Sequence, residues 1–211
     1  SYDNINLQDK SKGVENMKNK LFVLLSESSG GKDTLLNMIV RNEFLKPVIS
    51  TTTRRMRSNE EQDREYHFVT KEEFMLMEAK DKFLETTSYL IPSEGIVKYG
   101  LAKKDVVLSK SSYVVILNPI GLQQVEGQLG KENVVSIYIH RNDKDRFISY
   151  LNREEKRFDL ILDDAYERYK RDLNDFAGIE TKVDYVINND GYSEDMLLQF
   201  LEILNIESYK N

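Results

Sequence analysis

The stretch that most restricts what this chain can become is Leu21–Asn37, Leu-Phe-Val-Leu-Leu-Ser-Glu-Ser-Ser-Gly-Gly-Lys-Asp-Thr-Leu-Leu-Asn. Leu21–Leu25 is an apolar run of strand length. It gives way to small polar residues, then to Leu35, Leu36, Ile39 and Val40 at helical spacing. Strand, glycine-bearing loop and helix in that order form the context of a phosphate-binding loop, where backbone N–H groups and a helix N-terminus face a polyphosphate. On that reading Ser28, Ser29, Gly30, Gly31, Lys32, Asp33 and Thr34 meet the phosphates, and Lys32 reaches the β and γ oxygens. The pattern G-x-x-x-x-G-K-[ST] is broken twice. Ser26 replaces the first glycine, and Asp33 stands where a hydroxyl would ligate magnesium. Asp33 and Thr34 are therefore both candidate Mg²⁺ ligands. The competing reading is a plain strand–turn–helix corner that uses Gly30 and Gly31 to turn.

Composition narrows the alternatives. With 211 residues, 40% hydrophobic and 31% charged, the chain suits one well-cored domain carrying small inserted lobes. No apolar run approaches the ~20 residues that cross a bilayer. There are no cysteines, so disulfides and thiolate metal sites are excluded, and a cytoplasmic setting is expected. His67 and His140 are too few for a histidine-built zinc site. A net charge of −6 argues against nucleic-acid binding and requires any anionic ligand to be met by a local basic cluster. Residues 1–20 are polar and aperiodic and read as a flexible tail, with Met17 a candidate natural start.

Beyond the loop, strand-like runs at Leu21–Leu25, Val48–Thr51, Tyr113–Leu117, Val134–Ile139 and Tyr185–Ile187 alternate with helical patterns near 32–43, 72–79, 119–128, 143–156, 161–176 and 194–206. That alternation predicts an α/β fold with a parallel five-stranded sheet flanked by helices. The core is expected in 21–49, 102–140 and 165–211 of a single domain spanning 21–211. Residues 50–101, highly charged with scattered aromatics, are expected to form an inserted lobe, and 141–164 a mobile lid. A phosphate loop with two flaps suits an enzyme that closes over two nucleotides and excludes water.

A second constellation follows the second predicted strand: Ser50-Thr51-Thr52-Thr53-Arg54-Arg55-Met56-Arg57, then Glu65-Tyr66-His67-Phe68-Val69, Lys82-Phe83-Leu84-Glu85 and Tyr99-Gly100. Arg54 and Arg57 can aim forked donors at a phosphate. Taken together with the loop, the order S-x-T-T-R-x-x-R, Y-x-F-V, F-L-E and Tyr-Gly resembles the guanylate kinase family from about Leu21 to Leu204.

The resemblance implies a P-loop fold and ATP-dependent phosphorylation of a nucleoside monophosphate, GMP or dGMP, with Mg²⁺ accompanying ATP. It implies that Ser50, Arg54, Arg57, Tyr66 and Tyr99 hold the monophosphate, that Glu85 receives the guanine N1–H and amino group, and that Asn118 lies at the acceptor site. A carboxylate suits that edge because it offers two acceptors to two adjacent donors. Arg153, Arg157, Arg168 and Arg171 fall where the family clamps the moving phosphoryl, Arg168 best placed among them. Asn189 falls near the adenine. Leu101 stands where the family has a hydroxyl, Asn118 replaces an aspartate, and the segment between Glu85 and Tyr99 is longer than usual. Gly-Lys-Asp-Thr loops also resemble those of some phage-type deoxynucleotide kinases and phosphomevalonate kinases, so base and sugar preference stay open. The alternative function is a catalytically inactive guanylate-kinase-like binding module. Either a monomer or a homodimer fits the sequence.

Overall fold

A computed structural model describes residues 18–58, 60–91, 94–152 and 158–210. The chain opens with β1 (Leu21–Leu25), α1 (Lys32–Arg41), β2 (Lys46–Pro47), β3 (Thr51–Thr52) and β4 (His67–Phe68). It continues through α2 (Lys71–Ala79), β5 (Phe83–Ile91), β6 (Gly95–Ala102), β7 (Tyr113–Ile116) and α3 (Pro119–Leu129). It closes with β8 (Val134–His140), α4 (Asp143–Asn152), α5 (Phe158–Asp175), β9 (Tyr185–Asn188) and α6 (Ser193–Ser208).

Five strands form a sheet in the order β2-β7-β1-β8-β9, and every pairing in it is parallel. The central strand explains its own composition: all of Leu21–Leu25 is fully buried, which is why the run is continuously apolar instead of alternating. On one face Phe22 and Leu24 pack with Leu35 and Ile39 of α1 and Phe200 of α6. Phe22 and Phe200 meet edge-on at 6.2 Å. On the other face Leu21, Val23 and Leu25 pack with Leu122 and Val125 of α3. Each such side chain contributes about 1.5–3 kcal/mol when fully buried. The loop after β1 is thereby anchored to the most rigid part of the molecule, at the carboxyl edge of the sheet where open α/β folds bind ligands.

A second sheet, ordered β4-β3-β6-β5, lies within residues 51–102. The single strand expected at Val48–Thr51 is replaced by a link, 48–50, between two two-residue strands. Lys46 and Pro47 pair with β7 of the first sheet, whereas Thr51 and Thr52 pair with β4 and β6 of the second. The chain changes sheets inside one short apolar run, and such a run carries no mark of which sheet each half joins.

The β5–β6 hairpin is the larger element that the sequence concealed. Its strands, of which β5 carries Thr86, Thr87 and Ser88 in succession, are covered by α2 through Phe74 and Phe83, stacked at 4.5 Å with Ala102 beside them. Gly100 is required there, since a Cβ would lie 2.7 Å from the Phe83 ring. Thr70 starts α2 with a capping box shared with Glu73. The edge strand β5 is tied to the first sheet by Gln124 of α3, whose amide accepts from the Thr86 N–H at 2.9 Å and donates to the Thr86 carbonyl at 3.2 Å.

Candidate active site

The phosphate loop is a nest built on two left-handed residues, Ser29 at φ 60° and Gly31 at φ 110°. Gly30 is dictated by the first departure from the motif. The Ser26 hydroxyl fills the space where a Cβ at position 30 would stand, 1.6 Å away. At Gly31 a Cβ would meet the Asn189 Nδ2 at 2.4 Å, and that same amide donates to the Gly30 carbonyl at 2.8 Å. Lys32 folds back over the loop and donates to the Glu27 carbonyl at 3.3 Å. No side chain caps α1, so its first-turn N–H groups face the loop interior unclaimed by a capping side chain. Asp33 and Thr34 are exposed in that turn. Their hard oxygen donors fit Mg²⁺, which takes one or two protein oxygens and completes its shell with phosphates and water.

The arginine constellation folds into one cluster. Arg54 is buried, with its guanidinium 5.4 Å from the Tyr66 ring and 5.6 Å from that of Phe68. Tyr66 packs edge-on against Tyr99 at 5.7 Å, and Tyr99 against Tyr89 at 5.8 Å. Burial raises the Tyr66 hydroxyl pKa, and Asp33 is among the charges that raise it further. Glu60, which the sequence reading passed over, takes the place an anion would hold. One of its oxygens accepts from Arg54 at 2.7 Å and the other from the Arg57 N–H at 2.8 Å. Although its partial burial opposes it, the bond from Arg54 keeps the Glu60 carboxyl below the usual range. The Arg57 side chain is exposed, and the half-buried Ser50 accepts from the His67 N–H through its carbonyl.

Glu85 sits at a bulge in β5 and is 4% exposed. Burial pushes its carboxyl up to about 7, against bonds from the Thr87 hydroxyl and the Leu101 backbone that pull the other way. Leu101 itself is wholly buried in the core. A Cβ on Gly121 would lie 3.2 Å from both Glu85 Oε2 and Asn118 Oδ1, so the carboxylate and the amide face each other across that glycine. Asn118 caps α3 by accepting from the Gly121 N–H at 2.7 Å and donates to the Tyr89 hydroxyl at 3.0 Å. Tyr89 lies in the segment between Glu85 and Tyr99 whose extra length the sequence reading noted without assigning it a role.

Arg168 lies on α5 over the Tyr150 ring at 5.3 Å and lines a cavity of about 20 Å³ together with Ser28, Arg146 and Asp172. Arg171 approaches the Tyr89 ring at 6.0 Å. Arg153 and Arg157 lie outside the described residues. The sequence reading also missed Arg146 and Asp172, both buried beside the loop. Their only sequence signal was charge, Arg146 within the expected lid 141–164 and Asp172 within the helical pattern 161–176. Among the described residues no helix is long and apolar enough to cross a membrane.

The profile of the family described as Guanylate kinase matches residues 18–205. The guanylate kinase of Desulfotalea psychrophila (strain LSv54 / DSM 12343) is 30% identical over 181 residues, covering 84% of each chain. That of Vibrio parahaemolyticus serotype O3:K6 is 29% identical over 197 residues, 92% of this chain and 90% of the relative. The crystal structure of guanylate kinase from Anaplasma phagocytophilum has a TM-score of 0.66 at 23% identity, covering 93% of this chain and 89% of that one.

Proposed function

Because the chain belongs to the guanylate kinase family, we propose that it transfers the γ-phosphoryl of ATP to GMP or dGMP, releasing ADP and the nucleoside diphosphate. The reading is carried by one juxtaposition. Asp33, at the end of the phosphate loop, bears electrostatically on Tyr66, which packs on Arg54 and Tyr99. On this reading the donor loop and the arginine–tyrosine cluster address the same space.

In-line transfer between two phosphates needs positioning and charge neutralisation more than covalent help. Ser28, Ser29, Gly30 and Gly31 supply backbone donors to the ATP phosphates, Lys32 neutralises β and γ oxygens, and Asn189 braces the loop on its adenine side. Arg54, Arg57, Tyr66 and Tyr99 hold the acceptor phosphate, with Ser50 beside them. To do so Arg54 exchanges Glu60 for that phosphate, a swap of one anion for another. Glu85 takes the guanine N1–H and amino group, and Asn118 orients Tyr89 at the rim of the pocket. Arg168, with Arg157, neutralises the moving phosphoryl. Asp33 and Thr34 would hold Mg²⁺, which when bound would offset the charge of the ATP phosphates. The attacking oxygen is already ionised, so no general base is required. Residues 50–101 serve as the acceptor lobe and 141–164 as the lid.

A coupled ADP-release assay over GMP, dGMP, AMP, dTMP and UMP tests the reading. GMP or dGMP should lead by at least about a hundredfold, the discrimination that buried polar groups left unpaired by the wrong base provide. Guanine-nucleotide binding without turnover would return the inactive binding module instead.

A further inference from the structure

Besides the Gly30 carbonyl held by Asn189, three backbone groups of the phosphate loop are gripped by side chains from outside it. The Ser28 N–H donates to Asp172 Oδ2 at 2.8 Å, and the Ser28 carbonyl accepts from Arg146 Nη1 at 3.3 Å. The Ser29 carbonyl accepts from Arg141 Nη1 at 3.1 Å. Arg146 and Asp172 are 4% and 7% exposed and lie 3.4 Å apart, so the N–H and the carbonyl of one residue, Ser28, which belong to the two successive peptide planes flanking it, are held by the two halves of one buried ion pair. Arg146 is fixed in turn by Asp143 at 2.8 Å, and Asp143 accepts from the Tyr169 hydroxyl at 3.1 Å. The carboxylate and guanidinium come from α5 and α4, which share no sequence proximity with the loop.

We propose that Asp172 and Arg146 are positioning residues of the phosphate loop, gripping Ser28 so that Ser29 and Lys32 are set for the triphosphate. The proposal rests on the kinase reading of that loop.

The physical need lies in Ser29. Ser29 is a non-glycine residue in the left-handed region, a conformation that costs on the order of 1–3 kcal/mol and persists only where the surroundings over-determine it. Peptide planarity transmits the grip. Pinning the Ser28 carbonyl toward α4 turns the Ser29 N–H the opposite way, and the Asn189 bond to the Gly30 carbonyl does the same for the Gly31 N–H. An ion pair serving only to join α4 to α5 has no reason to engage loop backbone at both of its ends.

The test uses the full chain with Asp172→Ala, Asp172→Asn and Arg146→Lys. It reads the Ser28 amide by ¹⁵N NMR without nucleotide, the ATP affinity by direct titration without acceptor, and both KM values. Asp172→Ala should strip the Ser28 amide of its exchange protection and weaken ATP by about tenfold, the loss of one charged hydrogen bond, while GMP KM stays within about twofold. Asp172→Asn should recover part of the ATP affinity, because its amide oxygen still accepts from Ser28. Arg146→Lys should lose ATP affinity to a similar extent as Asp172→Ala, since one ammonium cannot reach Ser28, Asp172 and Asp143 together. An unchanged Ser28 amide overturns the proposal. So does a changed amide with unchanged or tighter ATP binding, or an equal rise in both KM values. The amide readout is independent of turnover, so it decides the grip even if the assay above finds no kinase activity.

Discussion

Glu85 is a carboxyl kept near neutrality by its surroundings, and two consequences follow at the scale of this one residue. Its folded pKa of about 7 lies above the ordinary value of 4.5, so the burden of ionising it in place sets in as pH rises from about 4.5 and is complete above about 7. Glu85→Gln is therefore expected to raise Tm at pH 8 and to change it little at pH 4.5. Bound guanine offers two donors and favours the ionised form, so GMP binding near pH 6.5 should release a proton. GMP affinity should climb with pH and level off above about 7. Calorimetry in buffers of different ionisation heat reads the proton, and Glu85→Gln should abolish the release while lowering kcat/KM for GMP by about 1–3 kcal/mol. A GMP affinity flat from pH 5.5 to 8 would mean that another group reads the base. Lys32 makes the opposite case. It is half-buried with a 3.3 Å bond to a carbonyl, so Lys32→Ala should leave Tm within a few degrees and cut turnover by at least about a hundredfold. Activity within about tenfold of wild type, less than one well-placed donor provides, would remove it from the mechanism.

At the scale of the element, helix α1 begins with an exposed carboxylate where the motif has a hydroxyl. Asp33 suits the positive end of the helix dipole but would repel a polyphosphate bound a few ångströms away. A hard cation between them converts repulsion into coordination. Asp33→Asn is accordingly expected to raise the Mg²⁺ concentration needed for half-maximal rate and to lower kcat. If Asp33 were only repulsive, the same change would tighten ATP in EDTA and leave kcat alone. ATP affinity measured on both proteins with and without Mg²⁺ separates these outcomes. Thr34, one residue further along the same turn, is the ligand left if metal dependence does not change.

Across the whole molecule, the first and last parts of the described chain are locked by one buried carboxylate. Glu207 on α6 is 3% exposed and accepts from Lys20 and Lys210 at 2.7 Å and from Tyr185 at 2.6 Å. Burial would raise its pKa, but the hydrogen bonds from Lys20, Lys210 and Tyr185 outweigh it and hold the carboxyl at about 2. A lowered carboxyl contributes stability above its unfolded pKa and loses it as pH falls, here between about 4.5 and about 2. Glu207→Gln should lower Tm at pH 7 and flatten the acid limb of the Tm profile. An acid limb equal to that of wild type would show that other carboxylates govern it.

What the sequence determined by itself is local or periodic. Continuous apolar runs demanded a sheet covered on both faces, the glycine pair and Lys32 demanded a nest at a helix start, and the spacing of Arg54, Arg57, Tyr66 and Glu85 marked a second set of polar groups. Those signals survive in one dimension because they depend on chain neighbours a few residues apart. The tertiary structure alone decided the rest. The β5–β6 hairpin was hidden because its strands owe their burial to α2 and α3, and Glu60 because only the fold brings it onto Arg54. Asp172 reaches Ser28 across 144 positions of chain, and the elevated pKa of Glu85 comes from burial that no residue type announces. Charge density looks the same in sequence whether it faces water or a buried partner, and the difference lies in which surfaces the packed core brings together.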